Sequence, residues 1–152
     1  MSPPDVEQVL KIGVLKLGNI GISPLVDLIL DERADKDDID IRVIGSGPKL
    51  TPEQSQEATA KMIELRPRLV IVSSPNAALP GPAKAIEMLL EANIPTISLS
   101  DAPGKKATKE IEEKVQGYII LVGDPLIGAR REFLDSVEMA LFNSDGIRVL
   151  SI

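Results

Sequence analysis

Short aliphatic runs alternate with amphipathic segments along the whole chain. Five such runs predict strands, at residues 12–17, 39–44, 69–72, 96–99 and 117–122. Between the runs, apolar residues recur every three or four positions, which is the pattern of a helix with one buried face. Continuous aliphatic runs are typical of parallel strands that are covered on both sides. The pattern therefore predicts an α/β fold, a doubly wound, mostly parallel, five- or six-stranded Rossmann-like sheet with helices on both faces.

Proline and hydroxyl residues predict where the helices begin. Thr51 is suited to cap a helix that has Pro52 at its first position, and Gln54 completes a capping-box spacing. Helices are predicted to begin at Pro24 after Ser23 and at Pro52, to follow the segment 73–82 as far as Leu90, to span 108–115, and to run from about Ala129 or Ser136 to Asn143. We interpret residues 1–152 as a single domain, with residues 1–9 as a flexible N-terminus.

Composition excludes several kinds of site. The chain has no Cys and no His, which rules out disulfides, thiolate or imidazole metal ligands, and Ser-His-Asp or Cys-His catalysis. A net charge of −6 and an aromatic content of 2% argue against a nucleic-acid binder. No apolar run approaches the ~20 residues of a membrane span, and no basic region precedes the first one. We therefore expect a cytoplasmic protein without nucleic-acid, membrane or metal partners.

In a doubly wound sheet, ligands bind beyond the carboxyl ends of the strands, where the strand order reverses. The corresponding loops here are residues 16–23, 45–49, 73–81, 101–105 and 123–131. A receiver domain shares this architecture but needs an Asp at the end of the third strand, where Val72 is followed by two serines. The receiver alternative therefore fails.

The first of these loops lies where dinucleotide-binding folds carry a glycine-rich turn. Gly18 and Gly21 would allow a close approach of the backbone to an anion at a helix N-terminus. However, Lys16 takes the place of the first glycine of the dinucleotide motif, and no acidic residue ends the second strand. These differences argue against NAD binding. The alternative is that both glycines only make a tight turn.

Three further features are compatible with a ligand and also with a purely structural role. The segment 73–82 is long for a βα loop and contains three prolines, so it forms either a stiff ligand-binding loop or a simple helix start. Asp101 could bind a pterin-like or flavin-like ring, or cap the following helix. Arg130 and Arg131 suit phosphate or carboxylate groups, or belong to a solvated face.

Taken as an ordered set, several segments resemble the coenzyme F420-dependent methylenetetrahydromethanopterin dehydrogenases of methanogenic archaea. The likeness extends from about Lys11 to Asp145. The matching segments are KLGNIG at 16–21, LDERAD at 30–35, PN at 75–76, PGPAKA at 80–85, DAPG at 101–104, GYI at 117–119, DPLIGARREFLD at 124–135 and EMA at 138–140.

The resemblance implies reversible hydride transfer between the methylene carbon of a folate-like carrier, tetrahydromethanopterin, and carbon 5 of the deazaflavin coenzyme F420. It also implies a homo-oligomer. Such chemistry needs neither a metal nor a side-chain nucleophile, because the cofactors carry it. No catalytic residue is assigned. The expected cofactor-binding residues are Lys16, Gly18, Asn19, Gly21, Ser23, Ser74, Pro75, Asn76, Asp101, Ala102, Pro103, Gly104, Arg130 and Arg131.

Two departures from the family pattern are visible. Leu17 stands where the family usually has Cys, and the sequence stops at Ile152 where family members continue with a helical portion that forms half of the substrate cleft. The absence of that portion favours a second hypothesis, a non-catalytic ligand-binding or assembly module derived from this family. The retained crevice loops favour the enzyme. Either way, we expect apolar surface around Leu141, Phe142 and Val149 to seek a partner.

Overall fold

A computed structural model of the chain describes residues 9–20, 30, 35–122 and 136–150. Five parallel strands form one sheet in the spatial order β2-β1-β3-β4-β5. The strands are β1 (Leu10–Lys16), β2 (Ile39–Gly45), β3 (Leu69–Ser74), β4 (Thr96–Asp101) and β5 (Gly117–Leu121). The predicted doubly wound, parallel α/β fold is confirmed.

The helices alternate with these strands along the chain. They are α1 (Pro52–Glu64), α2 (Pro80–Glu91), a 3₁₀ segment (Ala102–Ala107), α3 (Thr108–Glu112) and α4 (Ser136–Leu150). Of the helix predicted from Pro24, only Leu30 is described, and it is helical. Within the described part of the chain, none of the helices is long and apolar enough to cross a bilayer.

The start of α1 forms as its sequence predicts. Thr51 has an extended backbone, and its side-chain oxygen accepts a hydrogen bond from the Gln54 amide at 3.5 Å. Pro52 occupies the first turn, where its missing N–H has no intrahelical partner to lose. The capping pattern thus fixes where α1 begins, directly after the loop that follows β2.

Three predicted helix boundaries were wrong. Helix α2 begins at Pro80 rather than after Pro82, so the connection from β3 is residues 75–79, an ordinary length for a βα loop. Helix α3 ends at Glu112 and not at Val115, because the chain then forms a turn in which the Lys114 and Val115 amides both donate to the Ile111 carbonyl at 2.9 Å. Helix α4 continues past Asn143 to Leu150, since a glycine within a helix costs only about 1 kcal/mol.

The main core lies between one face of the sheet and the helices α1 and α2. Leu15, Val70 and Val72 from the strands pack with Met62 of α1 and Leu89 of α2, and all five are at most 2% exposed. Side chains alternate between the two faces of a strand. Ser74 therefore shares the helix-covered face with Val70 and Val72, whereas Ile71 and Ser73 lie on the opposite face.

The strand order determines where a site can form. The chain places β2 on one side of β1 and then β3 on the other side, so the direction of winding reverses between β1 and β3. At such a reversal the loops after the two strands diverge and leave a crevice at the carboxyl edge of the sheet. The segments that follow β1 and β3 border this crevice directly.

Candidate functional site

The crevice is bounded by the ends of β1 and β3. Lys16 and Ser73 are partners in register on these two strands, and Ser73 is in turn the partner of Leu99 on β4. The Leu17 amide donates to the Ser73 carbonyl at 2.8 Å, which carries the backbone pairing one residue beyond β1. The backbone at the edge of the crevice is therefore hydrogen-bonded in the same way as the strands.

The loop after β1 is tied to the loop after β2. Gly18 has a φ of +70°, a conformation that glycine adopts without strain, and its amide donates to the Ser46 side-chain oxygen at 3.1 Å. The Ser46 hydroxyl donates onward to the Lys49 carbonyl at 2.7 Å. Backbone conformation alone accounts for glycine at position 18, so the ligand role of Gly18 stays a prediction.

A second serine ties the loops after β3 and β4 together. The Ser100 side-chain oxygen accepts a hydrogen bond from the Ala77 amide at 3.0 Å, and its hydroxyl contacts the Asp101 carbonyl at 3.1 Å. Gly104, in the 3₁₀ segment, is buried directly against the Ser100 side chain. We name Ser100, Ala77 and Gly104 the serine clamp.

Asn76 and Asp101 carry polar side chains and are the sequence neighbours of the clamp residues Ala77 and Ser100. The Asn76 side-chain oxygen accepts a hydrogen bond from the Ala78 amide at 3.0 Å, which closes the turn into α2. Asp101 precedes the 3₁₀ segment but makes no side-chain capping hydrogen bond to it. Of the two interpretations of Asp101, the helix cap is therefore not formed, and the ligand contact stays a prediction.

The structure brings most of the predicted site residues to one edge of the sheet. Those that end or follow β1, β3 and β4 are Lys16, Gly18, Asn19, Ser74, Pro75, Asn76, Asp101, Ala102, Pro103 and Gly104. Four further predicted residues lie outside the described residues: Gly21, Ser23, Arg130 and Arg131. Ser74 belongs to this edge through its backbone, while its side chain lies on the face that α1 and α2 cover.

Sequence reasoning missed three serines of the rim: Ser46, Ser73 and Ser100. Ser46 and Ser100 hold loops together across 28 and 23 residues of sequence. The signal for them was a serine one or two residues after the end of each of three predicted strands. Serine is common in loops, so this position alone could not distinguish a clamp from a turn.

The rim is positively charged although the protein as a whole is acidic. Among the described residues 16–20, 46–50, 75–79 and 101–107, the charged side chains are Lys16, Lys49, Lys105, Lys106 and Asp101. Lys84, near the start of α2, is not part of this group, because its Nζ donates a hydrogen bond to the Glu87 carboxylate at 2.6 Å. This hydrogen bond raises the pKa of Lys84 and lowers the pKa of Glu87. No group of three or more acidic side chains that could hold a metal occurs among the described residues.

The chain is similar to one known enzyme family over nearly its whole length. The family described as methylene-5,6,7,8-tetrahydromethanopterin dehydrogenase matches residues 10–152. The F420-dependent methylenetetrahydromethanopterin dehydrogenases of Methanocaldococcus jannaschii and Methanothermobacter thermautotrophicus are 57% and 54% identical over 144 and 143 residues. Each alignment covers 94% of this chain and 52% of the relative, so the chain spans about half the length of these relatives.

A solved structure shares the fold as well as the sequence. It is an F420-dependent methylene-tetrahydromethanopterin dehydrogenase in complex with methylene-tetrahydromethanopterin and coenzyme F420. The match has a TM-score of 0.79 and 43% sequence identity, and it covers 94% of this chain and 52% of the other.

Proposed function

Because the chain belongs to the methylene-5,6,7,8-tetrahydromethanopterin dehydrogenase family, we propose that it provides the coenzyme-binding α/β part of a hydride-transfer enzyme. The reaction is the reversible transfer of hydride between methylenetetrahydromethanopterin and coenzyme F420. One observation carries the proposal beyond the resemblance: the loops on both sides of the switch point between β1 and β3 are held in place by hydrogen bonds. Ser46 joins the loops after β1 and β2, and Ser100 joins the loops after β3 and β4.

The chemistry divides between the ligands and the protein. When bound, the deazaflavin supplies the carbon that accepts or gives the hydride, so no side-chain nucleophile is required. The chain's part is to hold two ring systems in contact and to keep water away from them. A rim whose loops are hydrogen-bonded to one another suits that task, because little ordering remains to be done when a ligand binds.

The charge of the rim supports an anionic ligand. Lys16, Lys49, Lys105 and Lys106 lie at or after the carboxyl ends of β1, β2 and β4, in a protein whose net charge is −6. Local positive charge attracts and orients carboxylate or phosphate groups, even where the whole molecule is negative. We propose the predicted site residues of this rim as contacts of the coenzyme, with Arg130 and Arg131 as further contacts of its charged part, in a protein of the cytoplasm.

A non-catalytic module remains the second candidate. It is favoured by one observation, that every role proposed above for the described rim residues is a binding role and none of them is assigned as a catalyst. A module of this kind would bind the coenzyme at the same rim and leave it unreduced. The two candidates therefore agree on binding and differ in turnover.

Titration of the chain with F420, followed by its fluorescence, should show saturable binding, and addition of methylenetetrahydromethanopterin should then reduce the coenzyme. Lys16→Gln should weaken F420 binding about tenfold, because one charge-assisted contact is lost. Lys61→Gln is the matched control, since Lys61 pairs with Glu57 on the exposed side of α1, and its affinity should equal that of the parent.

The outcomes separate the candidates. Binding followed by reduction supports the dehydrogenase, and binding without reduction identifies the module. An unaltered chain that does not bind F420 contradicts the proposed function.

Self-association is a further expected property. Val137 and Leu141 of α4, four residues apart and hence on one side of the helix, are each 63% exposed, and Phe142 beside them is 49% exposed. We propose that this apolar surface contacts a second copy of the chain. Sedimentation should show a mass that rises with concentration. Leu141→Glu should shift the equilibrium toward the monomer, whereas Ala60→Glu, at an exposed position of α1, should not. A strictly monomeric parent chain would refute the expectation.

A further inference from the structure

Strand β5 is an open edge of the sheet. It pairs with β4 on one side, and among the described strands it has no neighbour on the other side. The opposite edge of the sheet is β2, which carries Asp40 and Arg42, and these two side chains form an ion pair at 2.8 Å. Charged side chains on an edge strand discourage a further strand from adding to it. Residues 115–122 contain no charged side chain, so β5 lacks this protection.

The register of β5 identifies the backbone groups that it leaves unpaired. The Gln116 amide donates to the Thr96 carbonyl at 3.0 Å, so the backbone groups of residue 116 point toward β4. Successive residues of a strand direct their N–H and C=O groups to opposite sides. Every second residue of β5 therefore presents both groups at the open edge. These outward residues are Gly117, Ile119 and Leu121.

The same strand of a second copy fits this row of donors and acceptors. When two β5 strands run antiparallel about a two-fold axis at Ile119, each outward residue faces another outward residue. Ile119 faces Ile119 of the second copy, and Gly117 faces Leu121. Facing residues of this kind exchange both hydrogen bonds, so no outward backbone group is left unpaired. Another two-fold register would leave at least one outward residue of β5 without a facing one.

The side chains of β5 match in the same register. Tyr118, which is 38% exposed, would face Ile120 of the second copy on one side of the joined sheet. Ile119, which is 52% exposed, would face its own counterpart on the other side. Aromatic and β-branched residues are favourable cross-strand neighbours. Since the net charge of the chain is −6, an uncharged strand is also where two copies can approach with little repulsion.

We propose that β5 joins the sheets of two copies into one continuous sheet, through antiparallel pairing centred on Ile119. A two-fold contact of this kind closes after two copies, whereas β5 of one copy on β2 of the next would be a head-to-tail contact that propagates. Asp40 and Arg42 oppose the head-to-tail contact, because it would take their charges out of water. The proposal concerns a different element from the α4 surface, and it does not depend on ligand binding.

A single introduced cysteine tests the pairing, because the chain has no other. The Cα atoms of a facing, hydrogen-bonded pair are about 5.5 Å apart, which is within the range that a disulfide spans. Under mild oxidation, Ile119→Cys should therefore form a disulfide-linked dimer at least tenfold faster than Val43→Cys. Val43 is the matched control, since it lies on the other edge strand, β2, and is 44% exposed. Electrophoresis with and without a reductant measures both rates.

The variant Ile119→Lys gives a second, independent measurement. Like charges directly opposite each other on paired strands repel, so the dimer Kd from sedimentation should rise tenfold or more, while Val43→Lys should leave it unchanged. Both lysine variants are measured in the Leu141→Glu background, so that the α4 surface contributes least.

Three results would overturn the inference. The first is an equal rate of cross-linking for the two cysteine variants, and the second is a Kd for Ile119→Lys within threefold of that for Val43→Lys. The third is a cross-link of Ile119→Cys that disappears when Leu141→Glu is added, because the α4 surface would then account for the dimer. A preferential cross-link that persists in that background, together with the rise in Kd, supports the pairing.

Discussion

Replacement of Gly81 by alanine is expected to lower the free energy of unfolding by roughly 2 kcal/mol. Gly81 is the second residue of α2, and a Cβ there would overlap the Leu50 carbonyl oxygen and come within 2.6 Å of the Ser55 side-chain oxygen. A backbone carbonyl cannot turn aside as a flexible side chain can. Overpacking typically destabilises a protein by about 1–3 kcal/mol, while the better helix propensity of alanine stabilises it by at most about 1 kcal/mol. The overlap is the larger effect, so the variant should be less stable than the parent.

Urea denaturation of the two proteins measures this difference, and the melting temperature should fall by about 4–8 °C for a chain of this length. Gly117→Ala is the control, because a Cβ at that position in β5 meets no atom within 4 Å. That variant should be as stable as the parent or slightly more so. A Gly81→Ala protein that matches the control would show that α1 and α2 do not approach as closely as the structure has them.

The aliphatic runs predicted the strands, but not where the strands end. The third and fourth strands were predicted to stop at Val72 and Leu99, whereas the pairing continues to Ser74 and Asp101. Strand pairing is a property of the backbone, and a neighbouring strand that is already in register extends it through polar residues. Serines at the end of a buried run therefore look like the start of a loop in the sequence and belong to the sheet in the structure.

The location of the site could be predicted because the carboxyl ends of parallel strands must meet at one edge. The contacts that rigidify it could not. The Ser46 and Ser100 bonds join loops that are separated by 28 and 23 residues, and nothing local marks their partners. Which side of β3 each serine faces also depends on the register of the strand. Only the packing of Val70 and Val72 against α1 and α2 assigns Ser73 to the opposite face of the sheet.

The serine clamp gives the second large expected effect. Gly104→Ala should lower the free energy of unfolding by roughly 2–4 kcal/mol and weaken F420 binding tenfold or more. The new Cβ would overlap the Ser100 side-chain oxygen, which accepts from the Ala77 amide. Overpacking then adds to the cost of a buried amide that loses its acceptor, about 1–3 kcal/mol. Urea denaturation and F420 titration measure the two effects, with Gly117→Ala again as the control.

The loss of stability and the loss of F420 affinity should both arise from the contact with Ser100, and a second variant tests this. Ser100→Gly removes the atoms that the new Cβ would meet, so Gly104→Ala should cost clearly less stability in that background than in the parent chain. Equal costs in both backgrounds would contradict the clamp. Gly104→Ala should weaken binding because it moves the loops that hold Asn76 and Asp101, and the same movement should destabilise the fold.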